Sequence, residues 1–172
     1  MFLGMGMPIP DLANLPGVSR PGGGSDENFT MKWERSTSTE ELIVMGCRSG
    51  FNSSTLAQHY DFNVDWGDGT NEDIVLTNTN VPGFSHTYTD AGVYTVKING
   101  KFGGLCMGDN TAGNTASNRE KLKEITNWGD TGIATLNSMF NGCTNVTITA
   151  KDAPTVYSDM FEKPSSFFKN KT

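Results

Sequence analysis

The chain has 172 residues, of which 35% are hydrophobic and 19% charged, with 20 glycines. That supply supports a modest core in one ordinary domain or two small ones, and it favours short strands joined by turns; Glu120–Glu124 is the only short helix candidate. A net charge of −6 repels phosphate backbones and argues against nucleic-acid binding.

Residues 1–28 read as an extended arm that ends in the linker composition Pro21-Gly22-Gly23-Gly24-Ser25. Met1, Phe2, Leu3, Met5, Met7 and Ile9 are apolar with no periodic partner. They are the candidate docking residues of an arm that buries against a neighbouring subunit, and the plainer alternative is a disordered start. Gly4, Gly6, Pro8 and Pro10 break the apolar run and no basic residue precedes it, which is unlike a secretory signal. No stretch approaches the roughly 18 apolar residues of a membrane span, so no membrane insertion is expected, and synthesis is expected in the cytosol.

Residues 29–100 read as consecutive strands. Phe29, Met31 and Trp33 alternate with polar residues, Glu41–Met45 is a short apolar run, and Tyr60, Phe62, Val64 and Trp66 alternate again, as do Tyr94, Val96 and Ile98. Period-two spacing places each set on one face of a sheet. Turn residues separate the sets at Gly67-Asp68-Gly69, Asn78-Thr79-Asn80, Pro82-Gly83 and Asp90-Ala91-Gly92. Such spacing predicts an all-β sandwich.

Two segments, YDFNVDWGDGT (Tyr60–Thr70) and HTYTDAGVYTVKI (His86–Ile98), together resemble the PKD family of immunoglobulin-like domains. The resemblance covers about 40 residues closely and residues 29–100 in outline. It implies an immunoglobulin-like β-sandwich with a structural motif of Trp66, Gly67, Asp68, Gly69, His86, Tyr88, Gly92, Tyr94 and Val96. The residue chemistry agrees: Trp66 can plug a core, Gly67 and Gly69 permit a tight turn, Asp68 can cap it, and Tyr88 can bury its ring while its hydroxyl bonds backbone. Family members are mostly extracellular or particle-surface modules for spacing and adhesion.

Residues 101–120 are rich in Gly, Asn and Thr and read as a long loop. In residues 121–172 the pair Met139-Phe140 recurs as Met160-Phe161. With Gly142, Cys143, Asn145, Val146 and Ile148, the first unit resembles the leucine-rich-type surface repeat of BspA-like bacterial proteins. The second unit departs from that pattern at Pro164 and Phe167-Phe168. A solenoid normally needs about three repeats, so this small β region is expected to lean on the sandwich, on a partner or on further sequence.

Little in the sequence points to catalysis, and neither an enzyme nor a cofactor is expected. No nucleophile elbow, zinc-protease motif or phosphate loop is present. His86 lies inside the PKD-like pattern and His59 has no partner at a motif spacing. Cys47, Cys106 and Cys143 form no metal-ligand cluster and are expected to be buried, reduced thiols. Asp65, Asp68, Glu72, Asp73 and Asp90 supply the acids for a calcium site or a carboxylate pair, but no EF-hand loop accompanies them, so no metal is expected. The sequons at Asn28, Asn52 and Asn145 are unremarkable in a chain so rich in Asn, Ser and Thr.

Surface-type modules without an export signal suggest a virus particle, assembled in the host cytoplasm and displayed outside. The expectation is a phage virion structural protein, either head decoration or a tail or fibre component. Its partners would be other virion proteins in a symmetric assembly, and a host-surface glycan or protein. The alternatives are a bacterial cell-surface adhesin fragment and a carbohydrate-binding accessory module whose Trp33, Trp128, Phe167 and Phe168 stack on sugars.

Overall fold

A computed structural model describes residues 27–36, 41–45, 60–75, 83–107, 115–133, 136 and 138–155. Among them, eight strands and one short helix follow in chain order: β1 (Phe29–Arg35), β2 (Glu41–Met45), β3 (Tyr60–Asp65), β4 (Asn71–Val75), β5 (Phe84–Tyr88), β6 (Gly92–Phe102), α1 (Ala116–Glu120), β7 (Leu122–Asn127) and β8 (Thr147–Ile148). The described residues are mostly strand with very little helix, an all-β organisation.

Six strands form one sheet in the order β4-β3-β6-β1-β7-β8, and β2 and β5 form a second, two-stranded sheet. Every pair is antiparallel except β7 with β8, which run parallel. β1 is an inner strand. One edge pairs with β6, Met31 opposite Val96 and Trp33 opposite Tyr94, and the other pairs with β7. Phe29, Met31, Trp33 and Arg35 share one face of this inner strand and are all buried. Two surface ion pairs, Lys32 with Glu124 and Lys123 with Glu34, each at 2.7 Å, strap the outer faces of β1 and β7.

The core is continuous and aromatic. Phe62 of β3 meets Phe84 of β5 at 5.1 Å and Phe102 of β6 at 5.3 Å, both edge to face. Phe102 lies 5.4 Å from Phe29, Phe29 lies 5.8 Å from Trp128, and Trp128 lies 6.2 Å from Phe140. Tilted and edge-on contacts of this kind add to the gain from area burial. The chain of rings joins the two-stranded sheet, the six-stranded sheet and the C-terminal segment in one cluster. The described parts of 29–100 and 121–155, which differ in sequence style, therefore share a sheet and a core.

Within the stretch read as a loop over 101–120, the described residues carry more regular structure than expected. β6 runs on to Phe102, Leu105, Cys106 and Met107 are buried, and Ala116–Glu120 is helical. The helix lies earlier than the candidate Glu120–Glu124. Thr115 caps it by accepting from the Asn118 N–H at 3.2 Å, whereas from Leu122 onward the free edge of β1 captures the chain as a strand. In the repeat-like segment Met139, Phe140, Cys143 and Val146 are buried in the common core. Its second unit, including Met160, Phe161, Phe167 and Phe168, lies outside the described residues.

Candidate functional site

The two sheets are joined at the turn between β3 and β4, which carries Trp66-Gly67-Asp68-Gly69-Thr70. The Trp66 N–H donates to the Thr70 carbonyl at 3.0 Å and closes the turn. The Gly67 N–H donates to Asp65 Oδ1 at 2.9 Å. Gly67 has φ +80°, and a Cβ there would stand 2.5 Å from the Thr95 carbonyl oxygen, so only glycine lets the turn lie against β6. Asp68 Oδ1 accepts from both the Thr70 N–H at 3.0 Å and the Thr70 hydroxyl at 2.6 Å.

β5 answers this turn from the other sheet. Phe84, His86 and Tyr88 alternate onto the face that looks at the turn. His86 Nε2 lies 2.7 Å from Asp68 Oδ2. Its ring stacks on Trp66 at 4.7 Å and 15°, and meets Tyr88 edge-on at 4.7 Å. The Tyr88 hydroxyl donates to the Trp66 carbonyl at 2.6 Å. Tyr88 stacks in turn on Tyr94 at 3.9 Å, and the Tyr94 hydroxyl donates to the Asp90 carbonyl at 2.7 Å. Trp66, His86, Tyr88 and Tyr94 thus form one file of rings across the junction, pinned at three points by hydrogen bonds.

The electrostatics follow from these contacts. Burial by itself would raise the Asp68 carboxyl. The hydrogen bonds from the Thr70 hydroxyl, His86 and the Thr70 N–H, with attraction to His86, outweigh it and hold the carboxyl below its usual value. An ionised carboxylate only accepts, so His86 Nε2 carries the proton in this contact. Burial, reinforced by the Asp68, Tyr94 and Asp65 charges, pushes the Tyr88 phenol well above its usual value and keeps it a neutral donor.

As chemistry, the arrangement differs from a nucleophilic triad. There the imidazole stands between hydroxyl and acid, whereas here the acid stands between the Thr70 hydroxyl and the imidazole. The acids considered for cation binding are spread out. Asp65 caps Gly67, Asp73 accepts from Asn63 Nδ2 at 2.9 Å, and Asp90 Oδ2 accepts from the Thr89 hydroxyl at 3.2 Å. Among the described residues no three ligating side chains come together for a metal ion.

The structure therefore brings Trp66, Gly67, Asp68, His86, Tyr88 and Tyr94 of the sequence motif together. Gly69 has φ +92° in open space. Val96 lies in the core opposite Met31. Gly92 opens β6, and a Cβ there would meet nothing nearer than the Tyr94 ring at 3.8 Å, so sterics do not explain the glycine. The docking residues Met1, Phe2, Leu3, Met5, Met7 and Ile9 lie outside the described residues, as do His59 and Cys47. Cys106 and Cys143 are both buried. The sugar-stacking alternative needs correction at two positions. Trp33 and Trp128 are 0% and 5% exposed, packed in the core and closed to a ligand face.

Sequence reasoning missed a second turn of the same composition, Trp128-Gly129-Asp130, although the repeated tripeptide is visible in the sequence. Gly129 has φ +66°, and a Cβ on it would lie 2.4 Å from the Glu27 carbonyl oxygen. Its carboxylate comes from far along the chain. Asp152 accepts from the Trp128 N–H at 2.9 and 3.1 Å and from the Gly129 N–H at 2.8 Å. The Asp130 N–H donates to the Glu27 carbonyl at 3.0 Å, and Asn127 Nδ2 donates to the Asn28 carbonyl at 2.7 Å. Asn99 Nδ2 donates to Asn28 Oδ1 at 2.8 Å. No short-range pattern announces Asp152.

Comparisons with known proteins find no matching family model, curated relative or solved structure.

Proposed function

We propose that this chain is a structural protein of a bacteriophage particle, either a head-decoration or a tail component. Residues 1–28 dock it on neighbouring virion subunits. An immunoglobulin-like, PKD-type sandwich over residues 29–100 projects from the assembly, where it stabilises the particle or adheres to a host-surface glycan or protein.

The observation that most supports this reading is where the arm enters the body. The chain passes from Glu27 directly into β1, an inner strand paired on both edges. A tether attached there spreads its pull over β6 and β7 instead of peeling off an edge strand. The junction at Trp66–Thr70 fits the same role, because Asp68 reaches His86 and the Tyr88 hydroxyl reaches the Trp66 carbonyl from one sheet to the other. A non-enzymatic building block requires that rigidity. The PKD-type reading of the fold draws on the same junction, where β5 packs Phe84, His86 and Tyr88 on the turn after β3.

Deleting residues 1–24 from the gene in a phage genome tests the proposal. The truncated chain should keep the thermal unfolding midpoint of the intact one and be lost from purified particles. Incorporation at the normal level would overturn it.

A further inference from the structure

The second Trp-Gly-Asp turn differs from the first in how it is closed. In the first, the carboxylate that caps the glycine N–H comes from Asp65, two residues away. In the second, Asn127 stands where Asp65 would be, and its amide is turned to the Asn28 carbonyl. The capping carboxylate is supplied by Asp152, which takes both the Trp128 and the Gly129 N–H groups. The turn so closed lies directly on Glu27 and Asn28, the first described residues of the chain, with Gly129 too close to the Glu27 carbonyl to admit a Cβ.

We propose that Asp152 is a latch. Its carboxylate holds the Trp128–Gly129 turn in the shape that grips the Glu27–Asn28 backbone, and so sets how firmly the root of the N-terminal segment is fastened to the sheet. Three features argue for this. A charged acceptor serving two backbone donors is among the stronger hydrogen-bonding arrangements. The grip includes the Asp130 N–H to Glu27 and the two amides on Asn28, and Asp152 closes the turn that presents the Asp130 N–H. The Trp128 ring packs on Phe29, so displacement of the turn is felt at the first residue of β1. The inference concerns bonds within this chain and holds whether or not residues 1–26 engage another subunit.

Amide hydrogen exchange on the full chain tests it, with Asp152→Asn, Asp152→Ala and Gly129→Ala compared with the parent. Exchange at Trp128, Gly129, Asp130 and the first residues of β1 should rise by roughly tenfold or more, while Phe62–Trp66 and Tyr94–Ile98 keep their protection. Gly129→Ala attacks the same contact from the other side. The double variant Asp152→Asn with Gly129→Ala should therefore open the root no further than the worse single variant. If Asp152→Ala does not fold, Asp152→Asn, which keeps one acceptor oxygen, carries the measurement. A rise spread evenly over all strands, unchanged exchange at residues 128–130, or additive effects in the double variant would each overturn the latch.

Discussion

The hydroxyl of Tyr88 and the carbonyl of Trp66 are joined by a buried hydrogen bond of 2.6 Å that runs from one sheet to the other. Tyr88→Phe removes the donor and strands a buried carbonyl while leaving the ring stack on Tyr94 in place. The expected loss is roughly 1–3 kcal/mol, read as a lower urea midpoint with an unchanged slope. An unchanged midpoint would mean that the bond contributes nothing net.

Gly67 and Gly69 both lie in the left-handed region but differ in surroundings. Gly67→Ala drives a methyl into the Thr95 backbone and should cost roughly 2–5 kcal/mol or prevent folding. Gly69→Ala meets nothing within 4 Å and should cost about 1 kcal/mol, the conformational penalty alone. Thermal unfolding of the pair should separate them clearly; equal losses would mean that the close approach of Gly67 to β6 is not limiting.

Asp68 makes the junction sensitive to acid. Its carboxyl is held below the usual value in the folded chain, so the unfolded chain binds its proton first as the pH falls. The stabilisation is complete above about pH 4 and is lost as the pH drops through the lower folded value. Asp68→Asn should flatten the fall in stability below about pH 4. An acid-unfolding curve of unchanged steepness would contradict this assignment.

Burial pushes the Cys143 thiol up to about 12, against an opposing pull from the Arg119 charge. The native protein should therefore resist iodoacetamide at Cys143 at pH 8 and react after unfolding in urea, as checked by peptide mass spectrometry. Rapid modification of Cys143 in the native state would contradict its burial in the core.

The faces of the strands were legible because alternation is a local property. Phe29-Met31-Trp33, Tyr60-Phe62-Val64-Trp66 and Val96-Ile98 are inward as their spacing predicts. The tight turn at Gly67 was legible for the same reason. Pairing was not, since the capture of Leu122–Asn127 by the edge of β1 joins segments about ninety residues apart, and no spacing rule connects them. That capture also explains why the run Glu120–Glu124 does not continue as a helix. Arg35 occupies an inward position that alternation assigns to an apolar residue, and Trp128 is a core residue in a segment rich in turn formers. Asp152 closes a turn more than twenty residues before it, a relationship that only the folded chain displays.

Mass spectrometry of purified phage particles, quantifying this chain against the major capsid protein, tests the central claim most directly. The account predicts its presence in a fixed, symmetric copy number, in the hundreds for a head protein and a few for a tail protein. Absence from particles, with the chain recovered instead from the bacterial cell envelope, would contradict the account.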